Sequence, residues 1–163
     1  DEFQQSFAAR LQAMATAQDA LTRSHWERAD LRELLLAELK QVFGEKLDNC
    51  ELMGPPVNVN EKAAQSLGLT FHELATNALK YGLENADDKI DISWSFEQRG
   101  KDRTFALVWR EHVDVMPSEP ERVGFGTRLM QASVGGELGG TFERTLDDEG
   151  LTVRIVVPAR NLL

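Results

Sequence analysis

Residues 71–82 read Phe71-His72-Glu73-Leu74-Ala75-Thr76-Asn77-Ala78-Leu79-Lys80-Tyr81-Gly82. Nothing before Gly82 breaks a helix, and the apolar residues Phe71, Leu74, Ala75 and Ala78 recur at helical steps. Glu73, Asn77 and Lys80 follow one another at steps of four and three, so they form a polar stripe along one face. The stripe has a chemical logic: a carboxylate can accept a proton or orient a water, an amide oxygen is a neutral hard ligand for magnesium, and a lysine can neutralise phosphate. On spacing alone, a solvated face with an incidental Glu, Asn and Lys is the commoner outcome. The stripe therefore draws its meaning from the rest of the chain.

Upstream, Asn60 can cap this helix, which is predicted to run to about Tyr81, with Gly82 at its end. Residues 50–59 read as a short hairpin, with Pro55 and Pro56 at the turn between Leu52 and the alternating Val57 and Val59. A further helix starts near the capping residue Asp30 and carries Leu31, Leu34, Leu35 and Leu39. Residues 2–23 place Phe7, Leu11, Met14, Gln18 and Leu21 at alternating steps of four and three, the seam of a helix that packs on another helix.

Downstream, Ile90, Ile92, Trp94 and Phe96 alternate strictly, a polar turn surrounds Gly100, and Thr104–Trp109 completes a hairpin. The acidic stretch 112–123 has two prolines and no periodicity and reads as a surface loop. Gly124-Phe125-Gly126 leads into a short helix from Thr127 to about Val134, and Phe142–Leu146 and Leu151–Pro158 form a last hairpin about Asp147–Gly150. Helices that precede and separate antiparallel hairpins predict an α+β fold, a two-layer α/β sandwich with helices on one face of a mixed sheet, preceded by an N-terminal helix.

With 163 residues, 42% of them hydrophobic and 28% charged, the chain suits one compact domain plus an appendage. Opening at Asp1, it is expected to be a piece of a larger protein. A formal charge of −9 argues against nucleic-acid backbone as the main partner but leaves room for a small anion in a local pocket, near Lys80, Arg122 and Arg128. The lone Cys50 excludes an internal disulfide and suits a half-buried apolar position. No apolar run is long enough to cross a bilayer and no signal peptide opens the chain, so a cytoplasmic location is expected.

Two other segments carry candidate chemistry. Gly124-Phe125-Gly126-Thr127 ahead of a helix offers backbone N–H groups that can approach an anion, although a flexible hinge explains a glycine pair equally well. Trp109-Arg110-Glu111 at a strand end sets a carboxylate where it could hold a ring amino group, or where it is simply edge polarity.

Taken together and in this order, the segments resemble the HWE sensor histidine kinases of the GHKL (Bergerat-type) ATPase superfamily. The His-Glu-Leu-Ala-Thr-Asn-Ala run continuing to Lys-Tyr-Gly resembles the family's N box, Trp109 and Glu111 its Trp-x-Glu signature, and Gly124-Phe125-Gly126-Thr127-Arg128-Leu129 its second glycine box. The likeness extends through Gly139-Gly140-Thr141-Phe142 and back to Ala29-Asp30-Leu31 after Ser24-His25-Trp26.

The resemblance implies a residual dimerisation-domain helix over 1–28 and a catalytic ATP-binding domain over 29–163. Asn77 would coordinate Mg2+, Glu73 would act as base or water-orienting group, Lys80 and Tyr81 would line the nucleotide site, and Glu111 would bind the adenine amino group. Gly124, Gly126 and Thr127 would cradle the phosphates of ATP. The implied partners are a dimerisation domain, a homodimer through it, and the receiver domain of a response regulator. None of His25, His72 and His112 matches the family's phosphoacceptor, so the chain is expected to phosphorylate a supplied dimerisation domain but not itself. After Glu111 the family usually has a glycine pair and a proline; His112-Val113-Asp114-Val115-Met116-Pro117 stands there instead, which is expected to weaken ATP affinity. The alternatives are a degenerate ATP-site domain serving as a response-regulator scaffold and a GHKL serine kinase of the anti-sigma type.

Overall fold

The computed structural model describes residues 2–23, 28–82, 88–112 and 125–163. His25, Arg122, Gly124 and all but the first residue of the expected 112–123 loop lie outside them, as does the altered segment from Val113 onward.

The helices form where capping chemistry allows. Asp30 is extended and its carboxylate accepts the Glu33 N–H at 2.9 Å, starting α2 (Leu31–Phe43). Asn60 does the same for α3 (Glu61–Asn77), accepting the Ala63 N–H at 2.9 Å. Gly44, at φ 56, ends α2 in a conformation that disfavours any residue with a Cβ.

Five strands form the main sheet in the order β2-β4-β5-β7-β6: β2 (Cys50–Met53), β4 (Lys89–Arg99), β5 (Asp102–His112), β6 (Thr141–Asp147) and β7 (Gly150–Pro158). Two of the three expected hairpins are present, β4–β5 and β6–β7, and β5 pairs with β7 antiparallel between them. Alternation sends Ile90, Ile92 and Trp94 of β4, Phe105, Leu107 and Trp109 of β5, and Leu151, Val153, Ile155 and Val157 of β7 into one core. There they meet Leu67, Phe71, Leu74 and Ala75 of α3 and Leu34, Leu35 and Leu39 of α2. Outward-facing Ser93 and Ser95 are exposed, as expected of a sheet covered on one face. A short helix α4 (Phe125–Gln131), continued by a π-helical turn at Ala132–Glu137, adds Met130 and Val134 to the core, and α5 (Ala159–Leu162) closes the chain.

Residues 50–59 are not a hairpin. Cys50–Met53 pairs parallel with β4, Cys50 opposite Ile90, at the edge of the main sheet. The strand after the prolines, β3 (Asn58–Asn60), instead pairs antiparallel with β1 (Arg28–Asp30), Val59 opposite Ala29. Pro55 and Pro56 do interrupt the chain, but each flanking strand finds a partner distant in sequence. The Pro55 carbonyl accepts the Trp94 indole N–H at 2.8 Å, which anchors the crossing segment on β4.

The N-terminal helix α1 (Glu2–Arg23) packs against α3 and α2 through a face of small residues. Ala13 and Ala17 are fully buried, and a Cβ at Gly68 of α3 would lie 3.3 Å from that of Ala17. The apolar seam is left outside that contact: Phe7, Leu11 and Met14 are 55%, 52% and 44% exposed.

Candidate functional site

The stripe on α3 runs from the interior to solvent. Glu73 is only 5% exposed, Asn77 is half-buried and Lys80 is exposed. A solvated face thus does not describe Glu73. At the end of the helix the Thr76 hydroxyl donates to the carbonyls of His72 (2.9 Å) and Glu73 (3.1 Å), and the backbone passes into a π-helical turn at Ala78–Gly82. Tyr81 lies in that turn.

Two segments some fifty positions apart meet at Glu73. Gly126, in the first turn of α4, lies so close that a Cβ there would run into Oε2 of Glu73. A side chain there would displace the Glu73 carboxylate. Thr127 follows it, half-buried, and Arg128 is exposed. The other oxygen, Oε1, is held by the guanidinium Nε of Arg10 at 2.6 Å, and Arg10 also donates from Nη1 to the Ser6 hydroxyl at 2.7 Å. Glu73 is therefore a buried carboxylate in close ion-pair contact with a cation from α1.

Beside it, His72 faces the other way into the helical layer. Its Nδ1 lies 3.2 Å from Oε2 of Glu38 on α2, both residues being buried. That contact fixes the rotation of α3 at the residue before Glu73, and no described geometry makes His72 accessible as an acceptor of phosphate.

On β5, Trp109 and Glu111 are two apart and so share the inner face. The indole N–H donates to Oε1 of Glu111 at 3.0 Å. Glu111 stands opposite Ile90 and Leu151, is 5% exposed, and is pushed up to about 7 by burial; the Trp109 hydrogen bond and the nearby charge of Arg144 act against that rise. Trp109 is fully buried, so its role is to pack beneath and orient the carboxylate. Cys50 is half-buried, as its isolation suggests, and burial raises its thiol to about 11.

Arg10 and Glu38 went unrecognised in the sequence. Glu38 follows Leu34 by four and Leu31 by seven, on the apolar stripe of α2, which marks a charge destined for burial. Arg10 shares its face with Ala13 and Ala17, a small-residue face that the stronger seam of Phe7, Leu11 and Met14 obscured. Among the described residues no three His, Cys, Asp or Glu side chains gather as a metal cage.

The sequence model described as HWE histidine kinase matches residues 1–56. The chain is similar to a blue-light-activated histidine kinase of Brucella anthropi, 32% identical over 156 residues that cover 93% of the chain and 31% of that protein. A protein of the same description from Brucella ovis is 29% identical over 153 residues, covering 93% of the chain and 31% of its length. The chain thus spans about a third of the length of these curated relatives. Among solved structures, the histidine kinase domain of a blue-light-activated histidine kinase from Erythrobacter litoralis superposes with TM-score 0.68 at 19% identity, over 94% of the chain and 74% of that domain. The catalytic domain of the histidine kinase ThkA superposes with TM-score 0.52 at 18% identity, over 80% of the chain and 94% of that domain.

Proposed function

Because the chain belongs to the HWE histidine kinase family, we propose that residues 29–163 bind MgATP and pass its γ-phosphate to a histidine on a dimerisation domain, of which residues 1–28 are one helix. From that histidine a response-regulator aspartate would receive the phosphoryl group. The observation that carries this reading is the meeting of Glu73 and Gly126, which joins the N-box-like helix to the second glycine segment around one buried carboxylate.

Glu111 supplies a desolvated acceptor for the adenine amino group, and the Trp109 indole holds it in place. A guanine would present a carbonyl there, and the ionised carboxylate, an acceptor only, would reject it. Tyr81 and Lys80 line the nucleotide on the turn after α3. Gly124, Gly126 and Thr127 cradle the phosphates, where a side chain at Gly126 would collide with Glu73.

The chain fits a magnesium ion carried mostly by phosphate oxygens and water, since such an ion needs one neutral protein oxygen rather than a carboxylate cage. The half-buried amide of Asn77, one helical turn beyond Glu73, provides it. When bound, the ion neutralises charge on the β- and γ-phosphates.

In the transfer, a lone pair on the acceptor imidazole forms the new N–P bond while the bond from γ-phosphorus to the bridging oxygen breaks and ADP departs. Glu73 takes the ring proton that the phosphorylated imidazole releases. Positioning and charge neutralisation supply most of the rate.

The test is incubation with radiolabelled ATP and a separate dimerisation domain bearing a histidine. Acid-labile phosphate should appear on that domain and none on the chain itself, and Glu73→Gln should slow transfer by roughly 100-fold or more, the usual worth of general acid–base help. Acid-stable label would instead indicate a hydroxyl acceptor and a serine kinase.

A further inference from the structure

In this conformation the Glu73 carboxylate is buried and engaged through one of its oxygens. Oε1 is bound by Arg10 at 2.6 Å, and Oε2 abuts Gly126. The side chains of Arg10 and Glu73 are 14% and 6% exposed, so water does not compete for the pair. We propose that Arg10 is an autoinhibitory latch: docked on α3, α1 holds the catalytic carboxylate, and phosphoryl transfer proceeds only when α1 shifts and releases it. This rests on the reading of Glu73 as the proton acceptor.

Three features make α1 a suitable carrier for such a latch. Among the described residues its contact with α3 includes Ala13 and Ala17 against the helix surface at Gly68, small side chains whose parting uncovers little apolar area. Arg10 makes an ion pair across that interface, and its Nη1 is steadied by Ser6 one turn back. The adjoining face of α1 presents Phe7, Leu11 and Met14 to solvent, so a partner helix gripping that seam would bear on the stretch of α1 that carries Arg10. The pair therefore links the state of the dimerisation helix to the availability of the catalytic group, a two-state contact of the kind that coupling requires.

The experiment measures ADP release from MgATP by the whole chain, with water in place of the histidine, alongside calorimetric MgATP affinity. If the latch holds about nine molecules in ten closed, Arg10→Ala raises the rate by up to about tenfold. MgATP affinity should change by less than about threefold, and Arg10→Ala combined with Glu73→Gln should fall below the unaltered chain. A folded, ATP-binding Arg10→Ala protein with an unchanged or lower rate overturns the latch, a lower rate meaning that Arg10 serves the reaction directly. Should Arg10→Ala fail to fold, Ser6→Ala loosens the same guanidinium and must give a smaller rise; no rise is equally contrary. Glu73→Gln alone separates the two claims. If it hydrolyses as fast as the unaltered chain, the role of Glu73 falls and the latch with it; if it is slow while Arg10→Ala is not faster, only the latch falls.

Discussion

Burying a carboxylate beside a tryptophan leaves a signature in pH. Glu111 ordinarily titrates near 4.5 and is raised to about 7 by desolvation, partly opposed by the Trp109 hydrogen bond and by Arg144. Below about 4.5 the group is protonated in the folded and unfolded chain alike, and its contribution to stability is fully present. As pH rises toward 7 the unfolded chain ionises while the folded one resists, so stability falls, by roughly 3 kcal/mol once both are ionised. Glu111→Gln should therefore match the unaltered chain near pH 4 and exceed it by about 3 kcal/mol near pH 8 in urea titrations; a constant difference would contradict the burial account. Trp109→Phe, which keeps the ring and loses the donor, should cost about 1–3 kcal/mol and raise the apparent titration of Glu111 further. In the sequence Trp109 and Glu111 were legible as a signature on one strand, though not their hydrogen bond. Arg10 was not, since its partner lies sixty-three positions away and only the packing of α1 brings them together.

Among the elements, α2 and α3 were the most readable, because a cap and a stripe mark each from both ends. Asp30→Ala should destabilise by about 1 kcal/mol, the usual worth of an N-cap, as measured by thermal melting. Asn60→Ala should cost more, since its Nδ2 also donates to the Asn161 carbonyl at 3.1 Å and ties α3 to the C-terminal helix. Equal effects would deny that second role. Glu38→Ala should cost about 2–3 kcal/mol by leaving His72 without its carboxylate inside the α2–α3 contact. Residues 50–59 show where local reading stops. Proline between two short extended runs looks like a hairpin turn, yet β2 gains a parallel neighbour in β4 and β3 an antiparallel one in β1, pairings that no local pattern encodes. Similarly, the helix foreseen to about Tyr81 ends as an α-helix at Asn77 and continues as a wider π turn, a change in hydrogen bonding that residue spacing does not record.

For the molecule as a whole, the sandwich could be read because its helices and the strands of β4–β5 and β6–β7 each carry a strong pattern of their own. How α1 sits could not, since its two faces compete: the apolar seam announces a partner, while the small face of Ala13 and Ala17 does the packing within this chain. That seam predicts concentration-dependent self-association, which Leu11→Glu should suppress in sedimentation experiments without lowering MgATP affinity; unchanged association would place the contact elsewhere. The central claim is that the polar end of α3, with Glu111 and the segment at Gly126, is a nucleotide site. The most direct measurement is calorimetric titration of the chain with ATP, with and without magnesium, beside Asn77→Ala. The account predicts saturable binding that magnesium strengthens and that the Asn77→Ala protein loses by roughly tenfold or more, the scale of a lost metal-ligand contact. A folded chain that binds no ATP, or binds it equally well without magnesium and without Asn77, would contradict it.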